Sequence, residues 1–229
     1  MNINFLTLIM EYQDSIGIFS PDGRLYQVEY AQNASNQGSA VCLNIMNNKI
    51  YAFYDNKQIN NLHKQENKLH KIDDNIFILF SGIRPDSYVI MDEALYMIYA
   101  HKLQTTEKIQ IKSLASKIAT YKQKYTVREN FRPFGLRTVL LGFEENGEPR
   151  IYIIEADGNY AEYEKCAVGF KAENLMEDMQ KNSHEMCSLQ TLFQSVQKDV
   201  NNIKGFILQF NKEPFHLEPD FISSELNKS

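Results

Sequence analysis

Phe19-Ser-Pro-Asp-Gly-Arg-Leu-Tyr-Gln-Val-Glu-Tyr-Ala31 is the most informative stretch of this sequence. Its first part, Ser20 to Gly23, has the composition of a tight turn, and Asp22 is predicted to cap the helix that follows. An amphipathic helix is predicted over residues 24–36, and Gly38 ends it. A turn and a short surface helix therefore precede the first strand of the fold.

Outward from this stretch, short apolar runs alternate with longer segments of helical periodicity. The runs predict strands at Val41–Met46, Ile50–Tyr54, Asn75–Phe80, Thr138–Phe143, Arg150–Glu155, Tyr160–Tyr163, Gly205–Phe210 and Pro214–Leu217. Helices are predicted near Tyr88–Ile98, Ile111–Tyr125, Ala172–Lys181 and Leu189–Ile203. This order is typical of the α+β class, with two packed antiparallel sheets and helices on both outer faces.

Hydrophobic residues at three- and four-residue steps indicate which sides of the helices face the core. In the first long helix we expect Tyr88, Met91 and Leu95 to be core positions. In the last one the same expectation applies to Leu189, Phe193 and Val196. Two-residue hairpin turns are predicted at Asn47-Asn48, Asn146-Gly147 and Asp157-Gly158.

The composition is that of a globular protein, with 43% hydrophobic and 23% charged residues among 229. A net charge of −5 disfavours nucleic acid or an anionic membrane surface as the main partner. No apolar run approaches the roughly 20 residues that a membrane-spanning helix needs. The sequence therefore predicts neither a nucleic-acid partner nor a membrane anchor.

Cysteines and histidines give no sign of a disulfide framework or a metal site. Cys42, Cys166 and Cys187 are widely spaced and contain no CxxC pair, which favours reduced thiols in a cytosolic or nuclear protein. His63 and His70 lie seven residues apart beside lysines, without a cluster of ligands around them. We predict no metal and no cofactor.

The stretch from Phe19 to Ala31 closely resembles the signature of proteasome α subunits. The resemblance continues through Gly38-Ser39, Ser81-Gly82 and Arg132-Pro133-Phe134-Gly135. It implies the four-layer αββα sandwich of the N-terminal nucleophile hydrolases and a ring of seven α-type subunits stacked on β-type rings. Under this interpretation residues 1–11 are an N-terminal tail and 12–229 are a single α-type domain, whose helix 24–36 lies across the ring face.

The implied function is that of a non-catalytic subunit of the 20S core particle. Such a subunit contributes to ring assembly, substrate gating and the docking of activators in ubiquitin-dependent protein degradation. The implied partners are other α-type subunits, β-type subunits, and regulatory ATPases or other activators. The implied location is the cytoplasm and the nucleus.

The main alternative is a catalytic subunit like those of the β type, which share this fold. In those enzymes a propeptide is cut after a glycine, and the exposed threonine uses its own amine as the base. Gly38-Ser39 falls at the matching place, Asp55 at that of the supporting aspartate and Lys68 at that of the active-site lysine. Because the signature helix precedes Ser39 where a removable leader would be, the sequence favours the non-catalytic role. The third class, a stand-alone binding module, would require the signature to be accidental.

In the family that this chain resembles, pockets between adjacent α subunits receive the C-terminal tails of activators. Lys68 matches the lysine that pairs with the tail carboxylate, a role suited to an ammonium at the rim of a partly apolar pocket. Leu25, Glu29 and Gly38 match positions that line or brace the pocket. The alternative is that Lys68 is one of several solvated lysines on a loop.

A second set of residues, Tyr12, Pro21 and Tyr30, matches the gate-stabilising cluster of the family. The usual Tyr-Asp-Arg gate motif is here Tyr12-Gln13-Asp14, so the negative charge of its aspartate is lost. Gln32 stands where the family usually has arginine or lysine. A shortened spacing after Asp55 resembles the α6 type of eukaryotic proteasomes, with the α1 type as runner-up.

Overall fold

The computed structural model describes residues 16–56, 67–128, 130–182, 184–195 and 200–226. The helices are α1 (Tyr26–Asn36), α2 (Arg84–Thr105), α3 (Ile111–Val127), α4 (Ala172–Lys181), α5 (Cys187–Ser195) and α6 (Pro219–Leu226), with a 3-10 turn at Val200–Asn202. The strands are β1 (Val41–Met46), β2 (Lys49–Asp55), β3 (His70–Asp73), β4 (Ile76–Gly82), β5 (Leu136–Phe143), β6 (Pro149–Ile154), β7 (Tyr160–Glu162), β8 (Lys165–Val168), β9 (Ile203–Leu208) and β10 (Phe215–Leu217).

The strands form two five-stranded sheets with the orders β10-β9-β2-β1-β8 and β3-β4-β5-β6-β7. Adjacent strands in both sheets are antiparallel. The β1–β2 hairpin turns at Asn47 and Asn48, whose φ angles of 50° and 58° are those of a type I′ turn. This turn confirms the prediction made from the two asparagines.

Side chains that alternate along each strand build an apolar layer on both faces of a sheet. In β4, Phe77 and Leu79 face the other sheet and pack with Val41 and Leu43. The residues between them, such as Ile78, face the helices. A strand buried on both sides reads as a continuous apolar run, which is why these strands were predictable from hydrophobicity.

Each sheet is covered on its outer face by helices. Residues of α2 and α3 pack on the second sheet around Ile90, Leu114 and Ile118. Residues of α4 and α5 pack on the first sheet around Leu175 and Leu192. The layers therefore follow the order helices, sheet, sheet, helices, and the predicted αββα sandwich is confirmed.

The predicted core face of α2 is partly wrong. Tyr88 is 48% exposed, whereas Ile90, Ala94 and Ile98 are the buried residues. Leu95, like Met91, is only partly buried against that core. Apolar residues lie on both sides of α2, so three- and four-residue steps fit two faces and do not decide between them.

The helix predicted over Leu189–Ile203 is too long. The helix α5 ends at Ser195, and Ile203 is the first residue of β9, where it pairs with Asp55 of β2. Leu189 is buried and Phe193 packs against the core as predicted. Val196 lies outside the described residues. Pairing with β2 determines the conformation of Ile203 in spite of its helical spacing from Val200.

Candidate functional site

The junction between α1 and β1 is packed backbone against backbone. A Cβ atom at Gly38 would lie 2.1 Å from the backbone nitrogen of Gly82. The hydroxyl of Ser81 donates to the carbonyl of Ser39 over 2.8 Å, and the backbone N–H of Phe170 donates to the carbonyl of Gly38 over 2.9 Å. The Gly38-Ser39 pair, which contains the position of the nucleophile in the alternative interpretation, is therefore held by contacts from two other segments.

The amine of Ser39 belongs to a peptide bond with Gly38. Gly38 in turn continues from α1, and its N–H donates to the carbonyl of Ser35 over 3.1 Å. N-terminal nucleophile chemistry requires a free α-amine as the base. This amine is missing as long as the chain remains uncut before Ser39, so the site lacks its base.

Lys68 is the other residue on which both interpretations depend. Its Nζ donates to the backbone carbonyl of Asp55 over 2.6 Å, and its backbone N–H donates to the hydroxyl of Tyr54 over 3.2 Å. The Nζ atom lies 5.7 Å from the centre of the Tyr54 ring. Burial lowers the pKa of Lys68 to about 8, although the charge of Asp55 opposes this shift. Lys68 is thus half-buried and attached to β2.

The three other predicted pocket residues lie on or beside α1. Leu25 and Glu29 are one helical turn apart, and the N–H of Glu29 donates to the carbonyl of Leu25 over 3.1 Å. Gly38 lies beyond the opposite end of the helix. In the described part of the chain, Lys68 makes its hydrogen bonds with β2 and not with these three residues. The hydrogen bonds shown within one chain therefore link Lys68 to β2 and do not link it to α1.

Arg24 and Glu29 form an ion pair near the start of α1. The Nε atom of Arg24 donates to Oε1 of Glu29 over 2.8 Å, and a second, shorter bond joins the same two side chains. These hydrogen bonds lower the pKa of Glu29. The guanidinium of Arg24 also lies 5.1 Å from the ring centre of Tyr26. This cluster keeps a negative charge fixed at the surface of the helix.

The predicted cap of α1 is wrong. Leu25 occupies the N-cap position, and no side chain caps the helix. Asp22 lies four residues before Tyr26, too early in the chain for a side-chain bond to the first free N–H groups. Ser20 closes the turn, because its hydroxyl accepts a hydrogen bond from the N–H of Arg24 over 3.1 Å.

Two of the three predicted gate residues lie at the surface, one on α1 and one in the turn before it. Pro21 and Tyr30 are exposed, and the ring of Tyr30 stacks on that of Tyr26 with 6.3 Å between centroids. Tyr12, the third member, lies outside the described residues. Gln32 contacts Asp157 through its amide, with 3.4 Å between Nε2 and Oδ2. A neutral amide thus occupies the place opposite a carboxylate where the family usually carries a cation.

Sequence reasoning missed a polar link between distant segments. The two terminal guanidinium nitrogens of Arg132, Nη1 and Nη2, donate to the carboxylate of Asp86 over 2.7 and 2.6 Å. The N–H of Gly135 donates to the same carboxylate over 2.9 Å. Arg132 and Gly135 belong to a stretch that carried the family resemblance. Asp86 lies 46 positions before Arg132, so the sequence gave no sign of the pairing.

Sequence reasoning also missed a buried lysine in α3. The side chain of Lys122 is 0% exposed, and its Nζ donates to the carbonyls of Leu136 and Ile154 over 2.9 and 3.0 Å. Burial lowers its pKa to about 7. A hydrophobic pattern cannot indicate such a residue, since lysine normally marks the exposed side of a helix.

The described residues show few other candidates for a chemical site. They contain no group of three or more side chains able to hold a metal ion. They also contain no helix long and apolar enough to cross a bilayer. The three cysteines are buried as free thiols.

Comparisons with known proteins agree with the fold and the signature helix. The family model described as "Proteasome subunit" matches residues 36–205. The model of the N-terminal signature of A-type proteasome subunits matches residues 12–34.

Curated relatives match over most of the chain. The alpha type-7-like proteasome subunit of Macaca fascicularis is 30% identical over 88% of this chain and 85% of its own length. The alpha type-8 proteasome subunit of Mus musculus is 29% identical over 95% of each chain. The alpha type-7 proteasome subunit of Caenorhabditis elegans is 34% identical over 69% of this chain and 63% of its own length. With the sandwich fold and the turn and helix before its first strand, this chain belongs to the proteasome subunit family and is of the α type.

Proposed function

We propose that the chain is a non-catalytic subunit of the α ring of the 20S core particle, acting in ring assembly, substrate gating and activator docking. The observation that carries the proposal is the position of Ser39 in the middle of a packed backbone junction. Its amine is in a peptide bond, and Lys68 is bonded to a backbone carbonyl instead of a nucleophile. The β-like peptidase using Ser39, Asp55 and Lys68 is therefore disfavoured.

The Ser39→Ala variant tests this proposal. We expect particles that contain the variant to hydrolyse each class of fluorogenic peptide at the wild-type rate, within about twofold, because Ser39 supplies no nucleophile. Losing a member of a working catalytic set costs several orders of magnitude in rate. Loss of one peptidase activity, together with a mature chain that begins at Ser39 by N-terminal sequencing, would establish the β-like alternative.

An exposed apolar face on α2 supports membership in a larger assembly. Val89, Tyr96 and Leu103 follow each other at seven-residue steps on one side of the helix, and Leu103 is 84% exposed. Tyr88 and Tyr99 extend this face. Several large exposed apolar side chains on one side of a helix are typical of protein–protein contacts. We assign it to contacts with neighbouring α-type or β-type subunits.

Lys68 is the residue we propose for the docking of activator tails, such as those of regulatory ATPases. Since no hydrogen bond joins Lys68 to Leu25, Glu29 or Gly38 in the described part of the chain, the pocket is proposed to form between adjacent subunits. An ammonium that is half-buried binds a carboxylate more strongly than a fully solvated one does. The half-buried position of Lys68 supports this role.

Lys68→Ala is expected to weaken binding of a synthetic C-terminal tail peptide to the particle. Loss of a charge-assisted hydrogen bond costs about 1.5–3 kcal/mol, which is roughly 10-fold to 150-fold in Kd. Lys68→Arg is expected to recover part of the affinity, because a guanidinium has a different shape. Fluorescence anisotropy of labelled peptide measures both.

Lys71→Ala is the matched control for this experiment. Lys71 lies three positions away, is exposed, and pairs with Glu213 over 2.7 Å. Its removal should leave tail binding unchanged. Equal binding of the tail peptide by wild type and Lys68→Ala would show that Lys68 does not bind the tail. Both variants must first be shown to assemble into intact particles.

For gating, we propose that Tyr12, Pro21 and Tyr30 form a gate-supporting cluster. The exposed positions of Pro21 and Tyr30 support contact with a neighbouring chain of the ring.

For ring position, the α6 type proposed from the spacing has the α1 type as runner-up, whereas the curated relatives above are named as types 7 and 8. Cross-linking of neighbours in the particle distinguishes these positions.

We place the assembled chain in the cytoplasm and nucleus, where its buried free thiols would stay reduced.

A further inference from the structure

The turn between β8 and α4 carries an aromatic side chain at the surface. Phe170 comes directly after Gly169, just beyond β8, and is 54% exposed. The N–H of Ala172 donates to the carbonyl of Gly169 over 3.2 Å and closes the turn. Lys171, inside the turn, has a φ of 57°, which is uncommon for a residue other than glycine. The closing bond and this φ angle give the turn a defined shape.

This turn packs directly on the junction that follows α1. The N–H of Phe170 donates to the carbonyl of Gly38 over 2.9 Å. A Cβ atom at Gly169 would lie 2.2 Å from the carbonyl oxygen of Ser39, so the two backbones are in close contact. Because backbone atoms make these contacts, the position of Phe170 relative to Gly38 does not depend on the aromatic side chain.

Lys68 is connected to the same junction through β2. Its Nζ donates to the carbonyl of Asp55 over 2.6 Å, and the N–H of Asp55 donates to the carbonyl of Ala40 over 2.8 Å. Phe170 and the ammonium of Lys68 are therefore linked to the two ends of the three-residue segment Gly38–Ala40. Since an extended residue spans about 3.3 Å, the two groups lie within roughly 15 Å of each other, a distance that four or five residues of an extended tail can cover.

Positive charge accompanies the exposed ring. The Nζ atom of Lys171 lies 5.2 Å from the centre of the Phe170 ring, and both side chains are exposed. An aromatic ring that shares a surface with the ammonium groups of Lys171 and Lys68 complements an apolar side chain that stands close to a carboxylate. The C-terminal end of an extended peptide combines these two features.

We propose that Phe170 determines which tails dock at this chain, by packing against an apolar or aromatic side chain within the last five residues of the tail. This inference rests on the docking function proposed for Lys68 and adds a second contact to it. Lys68 recognises only the terminal carboxylate, which every unmodified tail carries. The ring of Phe170 discriminates between tails, because an aromatic pair contributes affinity that an alanine in the tail cannot supply.

Photo-cross-linking to this chain in the intact particle tests the inference. The probe is the last ten residues of an activator subunit whose tail binds the particle, with benzophenone on the N-terminal amine and phenylalanine or alanine at each of the last five positions in turn. The cross-linked chain is identified by its mass, and its yield against peptide concentration gives the Kd at this chain alone. At one position we expect phenylalanine to bind wild type about fivefold to tenfold more tightly than alanine does.

Phe170→Ala is expected to abolish this preference, so that the phenylalanine and alanine peptides bind equally, and Phe170→Leu should keep part of it. Phe215→Ala is the matched control, because Phe215 is a 63% exposed aromatic residue on β10. This control should leave the preference unchanged. Sedimentation of the particles verifies that all three variants assemble.

The possible outcomes separate the inference from the docking function on which it rests. A preference for phenylalanine that persists in Phe170→Ala, or that wild type shows at no position, would overturn the role of Phe170. If Lys68→Ala still weakened binding in that case, the docking function would stand. Binding to this chain that neither Lys68→Ala nor Phe170→Ala changes would overturn docking, and the role of Phe170 with it.

Discussion

Gly38→Ala is expected to destabilise the chain by about 3 kcal/mol or more and to prevent its incorporation into the particle. The new Cβ would lie 2.1 Å from the nitrogen of Gly82 and 2.7 Å from the carbonyl carbon of Ser81. Both are backbone atoms at the end of a central strand, so neither can rotate away. Urea unfolding of the full chain and sedimentation of the assembled particle measure the two effects.

Gly23→Ala is the matched control for Gly38→Ala. A Cβ atom at Gly23 would meet nothing within 4 Å, but its φ of 76° lies in the left-handed region, which costs roughly 1–2 kcal/mol for other residues. We therefore expect a smaller loss of stability at Gly23, with normal assembly. If Gly38→Ala assembled as well as Gly23→Ala, the junction would have to be looser than its distances indicate.

The fold was largely predictable because its central strands are buried on both faces. Such strands appear as continuous apolar runs, and the Asn47-Asn48 turn between two of them fixed the first hairpin. Failures occurred where a local pattern had two solutions, as at Tyr88, or where a long-range contact decided the outcome, as at Ile203. The first depends on which side of a helix meets the sheet, and the second on a partner strand far away in sequence.

The candidate site was less predictable than the fold. The family resemblance identified Lys68, yet nothing in the sequence indicated that its ammonium would bond to the carbonyl of Asp55. Backbone carbonyls have no sequence signature, so a residue that bonds to them can be recognised only from the folded chain. The same reason explains why the bonds of Lys122 were missed. The pairing of Asp86 with Arg132 was hidden by distance along the chain.

Stability that rises with pH is the expected consequence of Lys122. Its pKa is lowered from 10.5 to about 7 on folding. Between these values the unfolded chain holds a proton that the folded chain lacks, so the free energy of unfolding increases with pH. From pH 7 to pH 9 the gain from one such group is about 2 kcal/mol. Urea unfolding of the full chain at pH 7, 8 and 9 measures it.

Lys122→Met removes the titrating group and keeps a chain of similar length in the same space. The variant leaves the carbonyls of Leu136 and Ile154 without their donor, so it should be less stable than wild type at pH 9, where the wild-type amine is neutral. The difference should shrink towards pH 7, because the buried charge then costs the wild type as well. Lys117→Met, an exposed position on α3, should run parallel to wild type at every pH. Parallel profiles of Lys122→Met and wild type would contradict this prediction. Lys122 would then have to keep an ordinary pKa inside the core, with its two carbonyl bonds compensating fully for the burial of its charge.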